Sequence, residues 1–185
     1  MNAQPSVLKW LVSLGTSIRE VDWEGLYREE LPRIYNFFRY RVGDGTVAED
    51  LTSTTFEKAW RFRHQYRRDT SAFSTWLFAI ARNVAVDYFR QHRAHVPLEE
   101  AYQVPDQQDL ESAALRRLQF RELSALMNQL PDRERDLLSL KYGSGLTNRE
   151  IAKATGLNES NIGTILHRTV EKLRVQWDRR EKRHG

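Results

Sequence analysis

Along most of this chain apolar residues return every three or four positions, and almost nowhere every second one. Ile34, Phe37, Phe38 and Val42 share one side of a stretch from Tyr27 to Val42. Leu51, Phe56, Ala59 and Trp60 share a side of the next stretch, and Phe73, Trp76, Leu77, Ile80, Val84 and Tyr88 mark a longer one. That spacing predicts helices. Leu115, Leu118, Leu123, Leu126 and Leu130 restart the pattern as far as Pro131, and Asp132 to Tyr142 carries another helix. No run of strand-like residues flanks an Asn-Gly or Asp-Gly pair, so the fold class is all-α.

Local signals place the helix ends. Asp44-Gly45 closes the first helix, Pro32 belongs near its first turn or kinks it, and Thr46 with Glu49 predicts a capping box for the second. The densest signals lie between Leu146 and Arg174. Thr147 and Glu150 form another capping box before Ile151, Ala152 and Ala154, Gly156 reverses the chain, and Asn158 caps a further helix. Ile162, Ile165 or Leu166, Val170 and Leu173 face inward on that helix. Glu159, Ser160, Asn161, Thr164, His167, Arg168 and Lys172 remain outward. A tight pair of helices with short polar groups on the first turns of the second, and bases further along, suits a DNA major groove. An ordinary helical hairpin with a solvated face is the plainer alternative.

Composition narrows the classes. The 185 residues contain no cysteine, which excludes disulfides and thiolate metal sites and fits a reducing cytoplasm. No apolar run approaches the ~18 residues that span a bilayer, so membrane insertion is not expected. Val7, Leu8, Trp10, Leu11, Leu14 and Ile18 predict a short amphipathic helix in an N-terminal extension, residues 1–20. The net charge of +4 is unevenly spread. Lys58 to Arg93 holds eight Lys or Arg against two Asp, Ala94 to Ala114 holds five acids and no Lys or Arg, and Gly145 to Gly185 is basic again. Two basic blocks around an acidic connector fit two surfaces facing a polyanion.

These boundaries define two small helical domains, residues 21–94 and 115–185, joined by an extended acidic linker over 95–114 that carries Pro97 and Pro105. Residues 60–89 contain eight of the chain's twenty aromatics, interleaved with Arg. Such a mixture suits single-stranded DNA, whose bases stack on rings while guanidinium groups hold phosphates. Phe73, Trp76, Leu77 and Ile80 are read as core, whereas Tyr66 and the Arg82-Asn83 pair are read as functional.

Three stretches, in this order, resemble the extracytoplasmic-function (ECF) group of bacterial sigma factors. AEDLTSTTFEKAW (Ala48 to Trp60) is similar to the family's polymerase-docking helix. FSTWLFAIARNVAVDYFRQHR (Phe73 to Arg93) is similar to its promoter-melting, −10-reading helix, and LPDRERDLLSLKYGSGLTNREIA (Leu130 to Ala152) with the following helix to its −35-reading domain. The chain departs from the pattern at Ser53 and Thr54, where Gln-Glu is common, and at Gly163 and Ile165, where Lys and Arg are common. The resemblance makes 21–94 a region 2-like domain and 115–185 a region 4-like one. It implies a protein without cofactor, metal or catalysis that binds core RNA polymerase, through the largest-subunit clamp helices and, for the second domain, the flap.

On the same grounds Asp50, Leu51, Thr54, Phe56 and Glu57 would dock on polymerase. Asn83 with Tyr66 would hold a flipped −10 base, and Arg67, Arg68, Arg82, Arg90 and Arg93 would line the melted DNA. Glu159, Ser160, Asn161, Thr164, His167, Arg168 and Lys172 would face the −35 groove. An anti-sigma factor is a further partner that the resemblance admits. A free-standing helix-turn-helix regulator leaves the Ala48–Trp60 stretch unexplained. A metal enzyme using His92 and His95 lacks a third ligand.

Overall fold

The structure, a computed structural model, describes residues 22–67, 72–92 and 110–184, and their side chains except 110–117, 181, 183 and 184. The described residues form seven α-helices and no strand: α1 (Trp23–Val42), α2 (Gly45–Arg61), α3 (Phe73–His92), α4 (Leu110–Met127), α5 (Asp132–Leu138), α6 (Asn148–Thr155) and α7 (Glu159–His184). A 3-10 turn at Arg63–Gln65 follows α2, and a π-helical turn at Ser139–Gly143 extends α5. The all-α expectation holds. The amphipathic N-terminal helix, Arg68, Arg93, His95 and most of the acidic linker lie outside the described residues.

Several helix ends differ from the expected ones. Helix α1 begins at Trp23 because Asp22 accepts a hydrogen bond from the Gly25 backbone N–H at 2.9 Å. Pro32 therefore lies well inside the helix rather than in its first turn, where its missing N–H leaves one carbonyl without a helical partner. Gly43, not Asp44-Gly45, ends α1: it takes the left-handed conformation (φ 79°) and donates to Arg39 O. Asp44, in extended backbone, then caps α2 by accepting from Val47 N at 2.8 Å. The predicted Thr46–Glu49 box does not form the cap, because Thr46 is already within the first helical turn. Helix α4 starts at Leu110, earlier than expected, and takes in part of the predicted linker.

The first three helices close a core of Ile34, Phe37, Phe38, Ala48, Ala59, Leu77, Phe78, Ala81 and Val84. Phe37 meets Phe38 and Phe78 edge to face, at 5.0 and 6.0 Å between ring centroids. Each ring so buried contributes roughly 1.5–3 kcal/mol through area removed from water. Neighbouring residues on a helix point about 100° apart, so full burial of both Phe37 and Phe38 requires cover on two sides of α1. One side is α2 and α3; the other is the second domain, whose π-turn, α4 and α5 pack on α1. Leu126, Leu137, Leu138, Leu140, Leu146, Ile151, Ile162 and Leu166 form that domain's interior. Two expected inward residues, Trp60 and Leu118, are instead more than half exposed.

Candidate nucleic-acid interface

The helix-turn-helix forms as its local chemistry dictates. Thr147 Oγ1 accepts from Glu150 N at 3.2 Å, and the Glu150 carboxylate accepts from Thr147 N at 2.7 Å. Burial alone would raise the Glu150 pKa, but the Thr147 hydrogen bonds and the charges of Arg33 and Lys153 hold it below the usual carboxylate range. Gly156 turns the chain at φ 73°, and Asn158 Oδ1 accepts from Ser160 N at 2.9 Å. Ile162 and Leu166 anchor α7, and Thr169 is buried between them and the later turns, with its hydroxyl donating to Ile165 O at 2.8 Å. Glu159, Ser160, Asn161, Thr164, His167, Arg168 and Lys172 are all exposed. Helical spacing lays them along three to four turns of one broad face.

Gly163 and Ile165 are half-buried; by helical spacing Gly163 stands between Glu159 and His167, and Ile165 at the edge of the face beside Asn161. A Cβ built on Gly163 would meet Asn148 Nδ2 at 3.5 Å, an ordinary contact, so the glycine serves no close approach there. Gly163→Ala is expected to raise stability by roughly 0.5–1 kcal/mol, the helix-propensity gain, read as an upward shift in thermal melting. Destabilisation would mean that the position is tighter than described.

In the first domain the aromatic residues form a wall at one end. Trp23 meets Trp60, Tyr66, Phe73 and Trp76 edge to face with centroids 5.6–6.4 Å apart. Tyr66 is half-buried, packed on Phe73 and Trp76 at 5.4 and 5.3 Å. It is one face of the wall, not a free stacking ring. Trp60 is exposed, with the Arg63 guanidinium 4.2 Å from its ring centroid. Arg67 is exposed beside the wall.

Asn83 is exposed on α3, and among the described residues its amide has no hydrogen-bond partner. Trp76, Asn83 and Arg90 recur at seven-residue intervals and so line one face, with the exposed Val86 between the last two. Seven residues of helix rise by about 10 Å. Tyr66 packs on Trp76, two helical turns before Asn83 on α3. Arg90 is exposed and pairs with Asp87 at 3.0 Å.

Arg82 is placed differently. Its Nε bonds Asp136 Oδ2 at 2.8 Å, and its Nη1 bonds the Ala154 carbonyl at 3.0 Å, at the C-terminal end of α6. Both partners belong to the second domain, so in this arrangement Arg82 does not face open solvent as a phosphate contact. Nearby, Arg41 is buried, 3.6 Å from Asp132 and 3.8 Å from Asp136. Arg41 and Arg135 both stack on Phe89, at 4.5 and 4.7 Å. Burial, then the like charge of Arg135, brings the Arg41 pKa down to about 10 in spite of Asp136 and Asp132.

On α2, Asp50 and Glu57 are exposed, Glu57 paired with Arg61 at 2.8 Å. Thr54 is half-buried and its hydroxyl donates to Asp50 O. Phe56 is half-buried, 4.5 Å from the Tyr27 ring. Leu51 is a core residue, 8% exposed, and holds α2 in place rather than facing a partner. A shallow groove of about 490 Å³ between α1 and α2 is lined by Leu31, Pro32, Tyr35, Glu49, Thr52 and Ser53, and adjoins this face.

Comparison with known proteins bears on these surfaces together. Family models for Sigma-70 region 2 and Sigma-70, region 4 match residues 26–95 and 120–173. The chain is 33% identical to the RNA polymerase sigma factor CarQ of Myxococcus xanthus over 82% of its own length and 87% of CarQ. It is 30% identical to the ECF RNA polymerase sigma factor SigX of Bacillus subtilis, over 86% of its length and 85% of SigX. This chain is a member of the ECF sigma-factor family. Two solved structures share its fold. One is CnrH with the cytosolic domain of CnrY (TM-score 0.66, 20% identity, 93% of this chain and 96% of that one). The other is the Bartonella quintana sigma factor RpoE with the anti-sigma factor NepR (TM-score 0.66, 23% identity, 85% and 97%).

A sigma factor binds core RNA polymerase and recognises promoter DNA, and the two matched regions of this ECF member coincide with its two helical domains. Sequence reasoning missed the residues that join those domains. Arg41 had a readable signal: it falls at the seventh position after Ile34, on the same apolar face as Phe37 and Phe38, where a cation must be paired or stacked. Gly143 and Asp136 had none, because their partners lie far away in sequence, and the same holds for the contact of Arg135 with Phe89.

Proposed function

We propose that the chain acts as a sigma factor through three exposed faces and performs no chemical step of its own. The α2 face of Asp50, Thr54 and Glu57, with the rim of Phe56, docks on the clamp helices of polymerase. The α3 stripe of Asn83, Val86 and Arg90, running from the aromatic wall, holds opened −10 DNA. Its length fits successive bases better than a single pocket shared by Tyr66 and Asn83. The polar face of α7 reads the −35 major groove. No helix among the described residues is long and apolar enough to cross a membrane. The site of action is the cytoplasm, where polymerase meets the promoter.

The observation that carries this reading is the α7 face: seven polar side chains, all exposed, on a helix seated by buried Ile162 and Leu166 and capped at its start. Its short residues stand at the first turns and its cations later, the order in which base edges and phosphates are met. For the complex with core polymerase, Lys172→Ala and Arg168→Ala should each weaken promoter binding across all −35 sequences and reduce the salt slope by about 1. Asn161→Ala should change base preference with little effect on the slope. Equal slopes in all three variants would remove α7 from the DNA.

Both of the solved structures named above contain a protein partner, described for one as an anti-sigma factor. We propose that this chain, too, is held by an anti-sigma factor. A free-standing regulator is not favoured, since it gives the α2 face no role.

A further inference from the structure

Helix α7 is longer than its −35 face requires. Its 26 residues span about 39 Å, whereas a major groove is about 12 Å wide. The match to Sigma-70, region 4 ends at residue 173, and the helix runs on from there to His184. These later turns keep one side turned to the protein. Leu173, Gln176, Trp177 and Arg180, at three- and four-residue spacing, are half-buried, and α4 packs on α7.

Away from that side the helix carries a continuous exposed stripe. At about 100° per residue, Asn161, Thr164, Arg168 and Lys172 of the −35 face fall in one sector, and Val175, Arg179 and Lys182 continue it. All seven are exposed. Among the described residues, neither Arg179 nor Lys182 has an ion-pair partner. Arg174, by contrast, lies off the stripe and pairs with Glu171 at 2.7 Å. The composition of the stripe changes along its length. Amide and hydroxyl groups stand at its start, and its end holds two cations around one aliphatic side chain. Without short polar groups, that end suits phosphate oxygens and sugar carbons rather than base edges.

We propose that the end of α7 is a second phosphate-binding segment: beyond the −35 groove, Arg179 and Lys182 hold the sugar–phosphate backbone of the duplex flanking the −35 element. The proposal rests on the reading of α7 as the −35 helix. Arg168 and Arg179 stand about 16 Å apart along the helix axis, more than the width of the groove, so they meet separate stretches of backbone. The added contacts carry no sequence information. They lengthen the footprint and raise affinity for any promoter whose duplex continues past the −35 element.

The test compares wild type with Arg179→Ala combined with Lys182→Ala, each in complex with core polymerase on one duplex promoter. Both side chains are exposed and Ala is a good helix former, so helix content should not change. The salt slope of the variant should be lower by about 2, so that between about 50 and 200 mM salt wild type loses roughly tenfold more affinity than the variant. Base preference at −35 should stay the same. Probes shortened step by step on either side of the −35 element locate the contact: wild type should lose affinity when the flanking phosphates are removed, and the variant should not. An unchanged slope would overturn the proposal, as would equal losses on shortening. A slope difference that persists on the shortest probe would also overturn it, by placing the two cations on polymerase. If the −35 reading itself fails, Arg168→Ala leaves the slope unchanged as well; if only the proposal fails, the Arg168→Ala effect remains.

Discussion

Asp50→Arg is expected to abolish transcription by the reconstituted complex while leaving the fold intact. Asp50 is exposed on α2, and among the described residues its side chain has no hydrogen-bond or ion-pair partner; the hydrogen bond at this position uses its backbone carbonyl, which the substitution retains. Surface changes of this kind alter stability by about 0.5 kcal/mol or less. At a docked interface, loss of one partner of a desolvated charge pair costs about 2–5 kcal/mol, roughly a 30-fold to more than 1,000-fold loss of affinity. Phe56→Ala provides the contrast. The ring is half-buried against Tyr27, so its loss should cost about half the 3–5 kcal/mol of a fully buried Phe, with a lower melting temperature. Polymerase pulldown and thermal melting measured on both variants separate the two mechanisms. Normal polymerase binding by Asp50→Arg would remove α2 from the docking surface.

Asn83→Ala should relax base preference at one −10 position by about 5- to 150-fold, the loss of one two-point amide contact. Asn is a poor helix former unless its amide has a task, and the described structure gives that amide no bond to a backbone carbonyl. A structural role for Asn83 therefore predicts a melting change that should not appear. Transcription from a library with every base at each −10 position gives the preference, and thermal melting checks the fold. Unchanged preference would move the specificity elsewhere along the stripe, with the exposed Val86 next in line.

What the sequence revealed tracks the range of the interactions. The Thr147–Glu150 box, the Gly156 turn and the Asn158 cap were legible because donor and acceptor lie two to four residues apart. The exposed α7 face followed from its periodicity. The start of α2 was misplaced because Asp44 and Thr46 are both capping residues, and only the extended backbone at Asp44 decides between them. Leu51 was read from its place in a motif, which does not tell a surface residue from the core residue that supports it. Arg82 was identified as a cation needing an anion. Its anion in the structure is Asp136, 54 residues away, and no local pattern predicts that pairing. The close fit of Gly143 under α1, where a Cβ would meet the Asn36 backbone oxygen at 2.9 Å, has no local signal in the sequence.

Transcription reconstituted from purified core polymerase and this chain, on the randomised promoter library, tests the central claim most directly. The account predicts transcripts from promoters that share one −35 and one −10 sequence, none from core alone, and weak, unselective binding by the isolated chain. Tight, sequence-specific footprinting by the isolated chain, with no transcription when polymerase is added, would contradict it.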